Sequence, residues 1–413
     1  MKKQILNAML CSAAVLTSLV STACTSNPNK TASSAKEETN MTTKESTTSP
    51  NETESLTEPV TEPTSPAIQA EEFADVTAWD IVNSIKIGWN LGNSFDSAVD
   101  TVTLPRVAEM HWGNPLTTQE IVDTVYNKGF NAIRIPVTWD AFTSSGPAYN
   151  INTAWLERVQ EVVDYAISND MYVILNMHHE NWIDLELGEM EQDLAQYTSM
   201  WNQIATRFAG YDEHLIFEAL NEPREIGKPQ EWVGGTQEGR EFVNDFTRTF
   251  VETVRTTGGN NDRRLLLIPG YAASSMEISL AAIEVPEDDM IAVSVHAYIP
   301  YNFALNTSGT DKWNSDTADI DTLMKNLDKL FLSKDIPVIL GEFGAVYKNN
   351  DDERVEWARY YVTAATEHNI PCFWWDNNAF SDNGEALGLL DRRTLEWRFP
   401  ELTDVLIEAS SSR

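Results

Sequence analysis

Short apolar runs alternate along most of the chain with longer stretches whose apolar residues recur every three or four positions. Runs at 85–90, 132–136, 172–178, 215–221, 265–269, 291–296, 337–342 and 372–375 are mostly apolar up to a polar or aromatic end, the pattern of strands buried on both faces. The stretches between them predict helices near 154–168, 194–207, 240–255, 320–332 and 352–368. Another is expected to start at Thr117 or Thr118, whose hydroxyls suit an N-cap, to bury Ile121, Val122 and Val125, and to stop at Gly129. Eight strands at this spacing predict repeated βαβ units and an α/β fold, a single (β/α)8 barrel over 73–413. An open doubly wound sheet has a similar period, but it gathers its site at one switch point, and no Gly-x-Gly-x-x-Gly or phosphate loop follows the first strand. Here Asn90, Arg134, His178, Asn221, Glu222, His296, Glu342 and Trp375 stand at or near the ends of different strands, as barrel active sites require.

Upstream of the barrel the composition changes. Residues 24–72 are almost wholly Thr, Ser, Glu, Pro, Asn and Lys, too poor in apolar side chains to fold, and are expected to form a disordered linker. Residues 1–23 read as an export signal, with Lys2 and Lys3 ahead of a mostly apolar run over 5–20 that is too short and interrupted for a membrane span. Ser21, Thr22 and Ala23 precede Cys24, similar to a bacterial lipoprotein processing site, although Ser21 stands where Leu is usual. Lipidation of Cys24, with a membrane tether, and ordinary cleavage nearby both stay open. The expected location is outside the cell, either secreted or held at a bacterial surface, and the linker is a spacer in the second case. The three cysteines, Cys11, Cys24 and Cys372, leave no basis for an internal disulfide in the barrel.

Lys and Arg total 29 against 63 Asp and Glu, a formal charge of −34 that repels phosphate backbones and excludes nucleic acid as an expected partner. Aromatic residues make up 10% of the chain and include 13 Trp, which suits stacking on uncharged rings as well as core packing.

Glu222 follows the fourth predicted strand and Glu342 ends the seventh, so closing the barrel turns both toward one cavity. Glycoside hydrolysis needs such a pair: a protonated acid for the leaving oxygen and an ionised carboxylate for the anomeric carbon. Arg134, between outward-facing Ile133 and Ile135, points into the barrel. It has two candidate partners there. Beside Glu342 it would depress that carboxyl and keep it ionised; alternatively it pairs with Glu218.

Ile216-Phe-Glu-Ala-Leu-Asn-Glu-Pro223, Arg134-Ile135, His178-His-Glu180, His296-Ala-Tyr298 and Gly341-Glu-Phe-Gly344 together resemble glycoside hydrolase family 5, a clan A family of retaining enzymes. Gly88-Trp-Asn-Leu-Gly-Asn93, Trp112-Gly-Asn-Pro115 and Phe373-Trp-Trp-Asp-Asn377 resemble its bacterial endo-β-1,4-glucanase branch, subfamily 4. The resemblance implies Glu222 as general acid/base, Glu342 as nucleophile, a β-glucan polysaccharide as substrate and a monomeric enzyme without a cofactor.

The remaining site residues follow from their chemistry. Asn221 can donate to the sugar 2-hydroxyl, Tyr298 can bond Glu342, and His296 and His178 can fix carboxylate and hydroxyl positions. Trp375 is the expected platform for the sugar beside the scissile bond, with Trp374 turned to the packing side. Only one of His178 and His179 need face the cavity. Trp112, Trp182, Trp232 and Trp313 fall in loops able to line a cleft, and Asn93 and Asn377 belong to the motifs above. No catalytic metal is expected, because His178-His179-Glu180 lacks His-Glu-x-x-His spacing and the chain holds 6 His. Mixed-linkage glucan, xyloglucan, xylan and mannan are the rival substrates, since subsite loops select among them. A barrel that binds carbohydrate without cleaving it is the rival from another class.

Overall fold

The computed structural model describes residues 71–99, 101–183, 185, 190–381 and 384–411. The expected export signal, Cys24 and all but the last two residues of the expected linker lie outside the described residues.

Eight parallel strands close on themselves: β1 (Ile87–Leu91), β2 (Ala132–Ile135), β3 (Tyr172–Asn176), β4 (Leu215–Glu218), β5 (Leu266–Ser274), β6 (Ile291–His296), β7 (Val338–Phe343) and β8 (Cys372–Asp376). β1 pairs with both β2 and β8, so no sheet edge is left open in the barrel. Helices Thr153–Ile167, Met190–Arg207, Gln237–Arg255, Ala318–Leu330 and Asp351–Glu367 lie where the periodicity puts them. Gly129, at φ 117°, ends helix Gln119–Lys128 as expected. The cap at its start differs: Thr118 holds the N-cap position without a side-chain cap bond, and the Thr117 amide donates instead to Glu109.

The two-residue period of the strands separates two cores. Outward residues such as Ile133, Val173, Phe217, Val293 and Leu340 pack with the helices. Inward residues at the barrel floor, among them Ala132, Ile174, Ile216, Leu267, Ile339 and Phe373, form a second cluster with Ile81 and Val82 of helix Ala78–Ser84. That helix plugs the floor, held at its start by reciprocal bonds between Thr77 and Asp80. Gly88 belongs to the same layer, where a Cβ would lie 2.0 Å from the Phe373 ring.

Above the apolar floor the inward positions turn polar. Asn90, Arg134, Asn176, Glu218 and Ser294 are all fully buried. Strict alternation from Ile339 would leave Glu342 facing outward. The register of β7 against β6 slips between Leu340 and Glu342, absorbing Gly341 as an extra residue, and this brings Glu342 opposite His296 at the barrel mouth.

Candidate active site

At the mouth, an oxygen of Glu222 and an oxygen of Glu342 stand within 4.8 Å of each other and of a His296 ring nitrogen. Both glutamates line one cleft, together with His178, Asn221, Tyr298 and Trp375. The structure therefore brings together Glu222, Glu342 and the six residues singled out around them.

Arg134 organises the layer beneath. Its Nη1 donates to Glu342 Oε1 at 2.7 Å and its Nε to Glu218 Oε2 at 2.7 Å, so both partners considered from sequence are engaged at once. Its Nη2 donates to Asn221 Oδ1 at 2.8 Å, which turns the Asn221 amide so that its NH2 group is the end left for a ligand. Tyr298 donates to the other oxygen of Glu342 at 2.9 Å. Across the pair, His296 Nδ1 lies 2.9 Å from Glu222 Oε1 and 3.7 Å from Glu342 Oε2.

The tautomer of His178 is fixed from behind. Asn176 accepts from the Val137 amide through Oδ1, so its NH2 faces His178 Nδ1 at 3.3 Å. That nitrogen is then an acceptor and the proton sits on Nε2. Trp375 stacks parallel to the same ring, 5.7 Å between centroids at 8°. His179 also reaches the cleft, so both histidines face it where only one needed to, because 177–180 lie beyond β3 where strand alternation no longer applies. It meets His178 edge-on at 4.4 Å and Trp112 at 5.9 Å.

A family model described as cellulase (glycosyl hydrolase family 5) matches residues 96–381. Endoglucanase B of Ruminococcus albus is 48% identical over 339 residues, 81% of this chain and 81% of its own. The solved structure of a GH5-4 broad specificity endoglucanase from Ruminococcus champanellensis with bound cellotriose aligns at TM-score 0.80 and 46% identity, covering 82% of this chain and 100% of its own. A GH5 xyloglucan-specific endo-beta-1,4-glucanase from a metagenomic library, in complex with cellotriose, aligns at TM-score 0.78 and 42% identity over 80% of this chain and 98% of its own.

The chain belongs to glycoside hydrolase family 5.

In this family 5 barrel the remaining sequence candidates divide by what they touch. Trp112 is 48% exposed on the cleft wall, and Asn93 lines the same cleft. Asn377 also lines it but spends its amide on the loop after β8, bonding Glu385, Ala379 and Leu387 backbone groups. Trp182 anchors its indole N–H on Glu180 and packs on the core. Trp313 is buried and bonded to Asp316, and Trp374 is wholly buried; both are scaffold. Trp232 is 55% exposed, under the Arg224 guanidinium. Sequence reasoning missed Asp96, Arg224 and Glu385, which line the cleft from loops whose shape no periodicity describes.

Charge is tightly balanced in this family 5 cleft. Burial raises the Glu222 carboxyl, but the hydrogen bond and charge of His296, with Arg224 and Arg134, outweigh it and leave Glu222 below the usual range. Burial pushes Glu342 up, with repulsion from Glu222 adding to it and the charges of His296 and Arg134 pulling back. Arg134 therefore acts on Glu342 in the expected sense, yet in the open cleft burial prevails over it. His296 is lowered by burial but ends raised, held by Glu342 and Glu222. Burial likewise pushes Asp96 up to about 7, against its bonds from the Asn93 and Ser94 amides.

Asp96, His178 and His179 form a second group whose donor atoms lie within 4.8 Å of one another. Two of its three members are engaged: Asp96 accepts the Asn93 and Ser94 amides, and the Asn176 NH2 meets His178 Nδ1.

Proposed function

We propose that this family 5 chain is a retaining endo-β-1,4-glucanase that hydrolyses internal bonds of cellulose and related β-glucans. The observation that carries the reading is the Glu222–Glu342 pair, whose oxygens approach within 4.8 Å. Retaining enzymes hold their carboxyls about 5–5.5 Å apart, whereas inverting ones leave about 6.5–9.5 Å for a water.

Glu342 attacks the anomeric carbon while Glu222 gives its proton to the glycosidic oxygen, forming a glycosyl ester and releasing the leaving chain. Water then loses a proton to Glu222 as its oxygen attacks the same carbon, and the ester bond to Glu342 breaks. Arg134 and Tyr298 stabilise the leaving carboxylate of Glu342 by one hydrogen bond on each oxygen. A bound glycan supplies the change the open cleft lacks. It covers Glu222 and strips its water, raising that carboxyl toward the protonated form, while Arg134 and Tyr298 stay on Glu342. Asn221 offers its amide N–H to the 2-hydroxyl, and Trp375 stacks on the sugar beside the scissile bond.

Support for the substrate class comes from relatives named endoglucanases and neighbours solved with cellotriose. A xyloglucan-specific neighbour keeps branched β-1,4-glucan as the second reading. Reducing-end release from a panel of purified glycans tests it: cellulose derivatives or xyloglucan should be cut, and failure on all β-1,4-glucans would overturn the reading. Fresh products should carry the β-anomer by NMR, and the α-anomer would contradict double displacement. For the upstream segment, we infer export through residues 1–23, supported by Lys2, Lys3 and the apolar run that follows.

A further inference from the structure

We propose that Arg224 is a positioning residue for the proton on Glu222, acting from the leaving-group side of the cleft. The inference rests on the reading of Glu222 as acid and base given above.

The geometry fixes Arg224 to the residue it serves. Its Nη1 donates to the Glu222 main-chain oxygen at 3.0 Å, and the same nitrogen lies 3.8 Å from Glu222 Oε2. The guanidinium cannot swing away easily. Nε donates to Glu231 Oε1 at 3.2 Å, the guanidinium carbon sits 4.4 Å from the Trp232 ring centroid, and Glu231 Oε2 accepts from the Gly227 amide at 2.8 Å. A cation clamped between a carboxylate and an indole face is held at one place, with little rotamer freedom left to lose.

Its side of the cleft is also defined. Arg224 and Ile226 line a part of the cleft that lacks Trp375 and Glu342, and Glu222 borders both that part and the one holding Trp375 and Glu342. On the reading of Glu222 as acid the leaving chain departs past that residue, and Arg224 is bonded beside it. As Glu222 gives up its proton, negative charge develops on a carboxylate beside a fixed cation, and the same cation favours that carboxylate when it serves as base. The charge of Arg224 is among those that pull Glu222 down.

The test compares Arg224→Gln, Arg224→Lys and wild type by kcat/KM on soluble β-glucan and on a nitrophenyl cellobioside, whose leaving group needs no proton. Without the cation Glu222 keeps its proton to higher pH, so Arg224→Gln should move the basic limb upward by about half to one pH unit, a modest shift for a half-buried pair. Activity on the glucan should fall about tenfold or more, and on the nitrophenyl substrate less than about threefold. Arg224→Lys, keeping the charge, should bring the basic limb back. An unmoved limb in Arg224→Gln, or equal losses on both substrates, would overturn the proposal. Glu222→Gln keeps the underlying reading separate: it should lose glucan activity, keep the first step on the nitrophenyl substrate, and regain turnover with azide. If it does so while Arg224→Gln leaves the limb in place, only the role of Arg224 falls. If Glu222→Gln itself is indifferent to leaving group and azide, the acid/base assignment falls.

Discussion

Arg134 and Glu342 meet at 2.7 Å with the arginine side chain wholly buried and the glutamate side chain only 7% exposed. The same guanidinium also reaches Glu218, Asn221 and Asn90. Replacing Arg134 with Met should strand two buried carboxyls, costing about 3–5 kcal/mol of stability and nearly all activity. Arg134→Lys keeps one charge but cannot serve four partners, so thermal melts should place it between wild type and Met, with kcat still lost. A Lys variant with wild-type turnover would disprove the need for the fork.

Glu342→Gln should retain the fold and lose at least about a thousandfold in kcat, because the amide cannot form the ester. Circular dichroism and reducing-end assays read the two effects separately. Unlike Glu222→Gln, this variant should stay inactive on a nitrophenyl substrate. Comparable activity of the two variants on that substrate would reverse or void the roles.

The bond between His296 and Glu222 ties stability to pH. His296 is lowered by burial but ends above its ordinary value of 6.5 through Glu342 and Glu222. A raised folded value contributes stability below the unfolded one that is lost as pH rises through the folded one. Measured as Tm against pH, the gap between wild type and His296→Gln should be widest from about pH 5 to 6.5 and narrow above that. A gap that grows toward alkaline pH would contradict the protonated pairing.

Trp375 and Trp313 make a contrast. Trp375→Ala removes a partly exposed platform and should lower kcat/KM about 10–100-fold, with little change in Tm. Trp313→Phe alters a buried ring and its bond to Asp316, so it should reduce Tm and leave KM unchanged. If Trp313→Phe changed KM more than Trp375→Ala, the division between platform and scaffold would be wrong.

Gly341→Ala probes the slip in β7. An added Cβ would lie 2.9 Å from Ser294 Oγ and 3.2 Å from His296 Nε2. Overpacking there should cost about 1–3 kcal/mol and displace His296 from Glu222, with kcat falling about tenfold or more. Wild-type kcat would mean that the mouth tolerates the extra methyl.

The strands and their polar ends were legible because buried parallel strands write continuous apolar runs, and a barrel puts chemistry where those runs stop. Arg134 could be aimed inward by period alone. Glu342 could not: strict alternation would turn it outward, its place at the end of the seventh run pointed to the cavity, and the bulge at Gly341 that makes the turn leaves no mark in the apolar pattern. The floor helix Ala78–Ser84 carries a readable Thr77–Asp80 cap but is a short segment between the linker and the first strand. Asp96, Arg224 and Glu385 stayed hidden because loops bring residues together without a repeat. Trp313 was ambiguous since an indole in a loop is equally suited to wall and to scaffold.

Glu218 sits under the reacting pair with no exposed surface, accepting from Arg134, Asn176 and Ser294. The stack it supports is both keystone and tool, so an engineer seeking a hardier catalyst has little freedom at the top of the strands. Gains in heat tolerance should be sought in the outer ring of helices, where a change can be absorbed without travelling to the bond being cut.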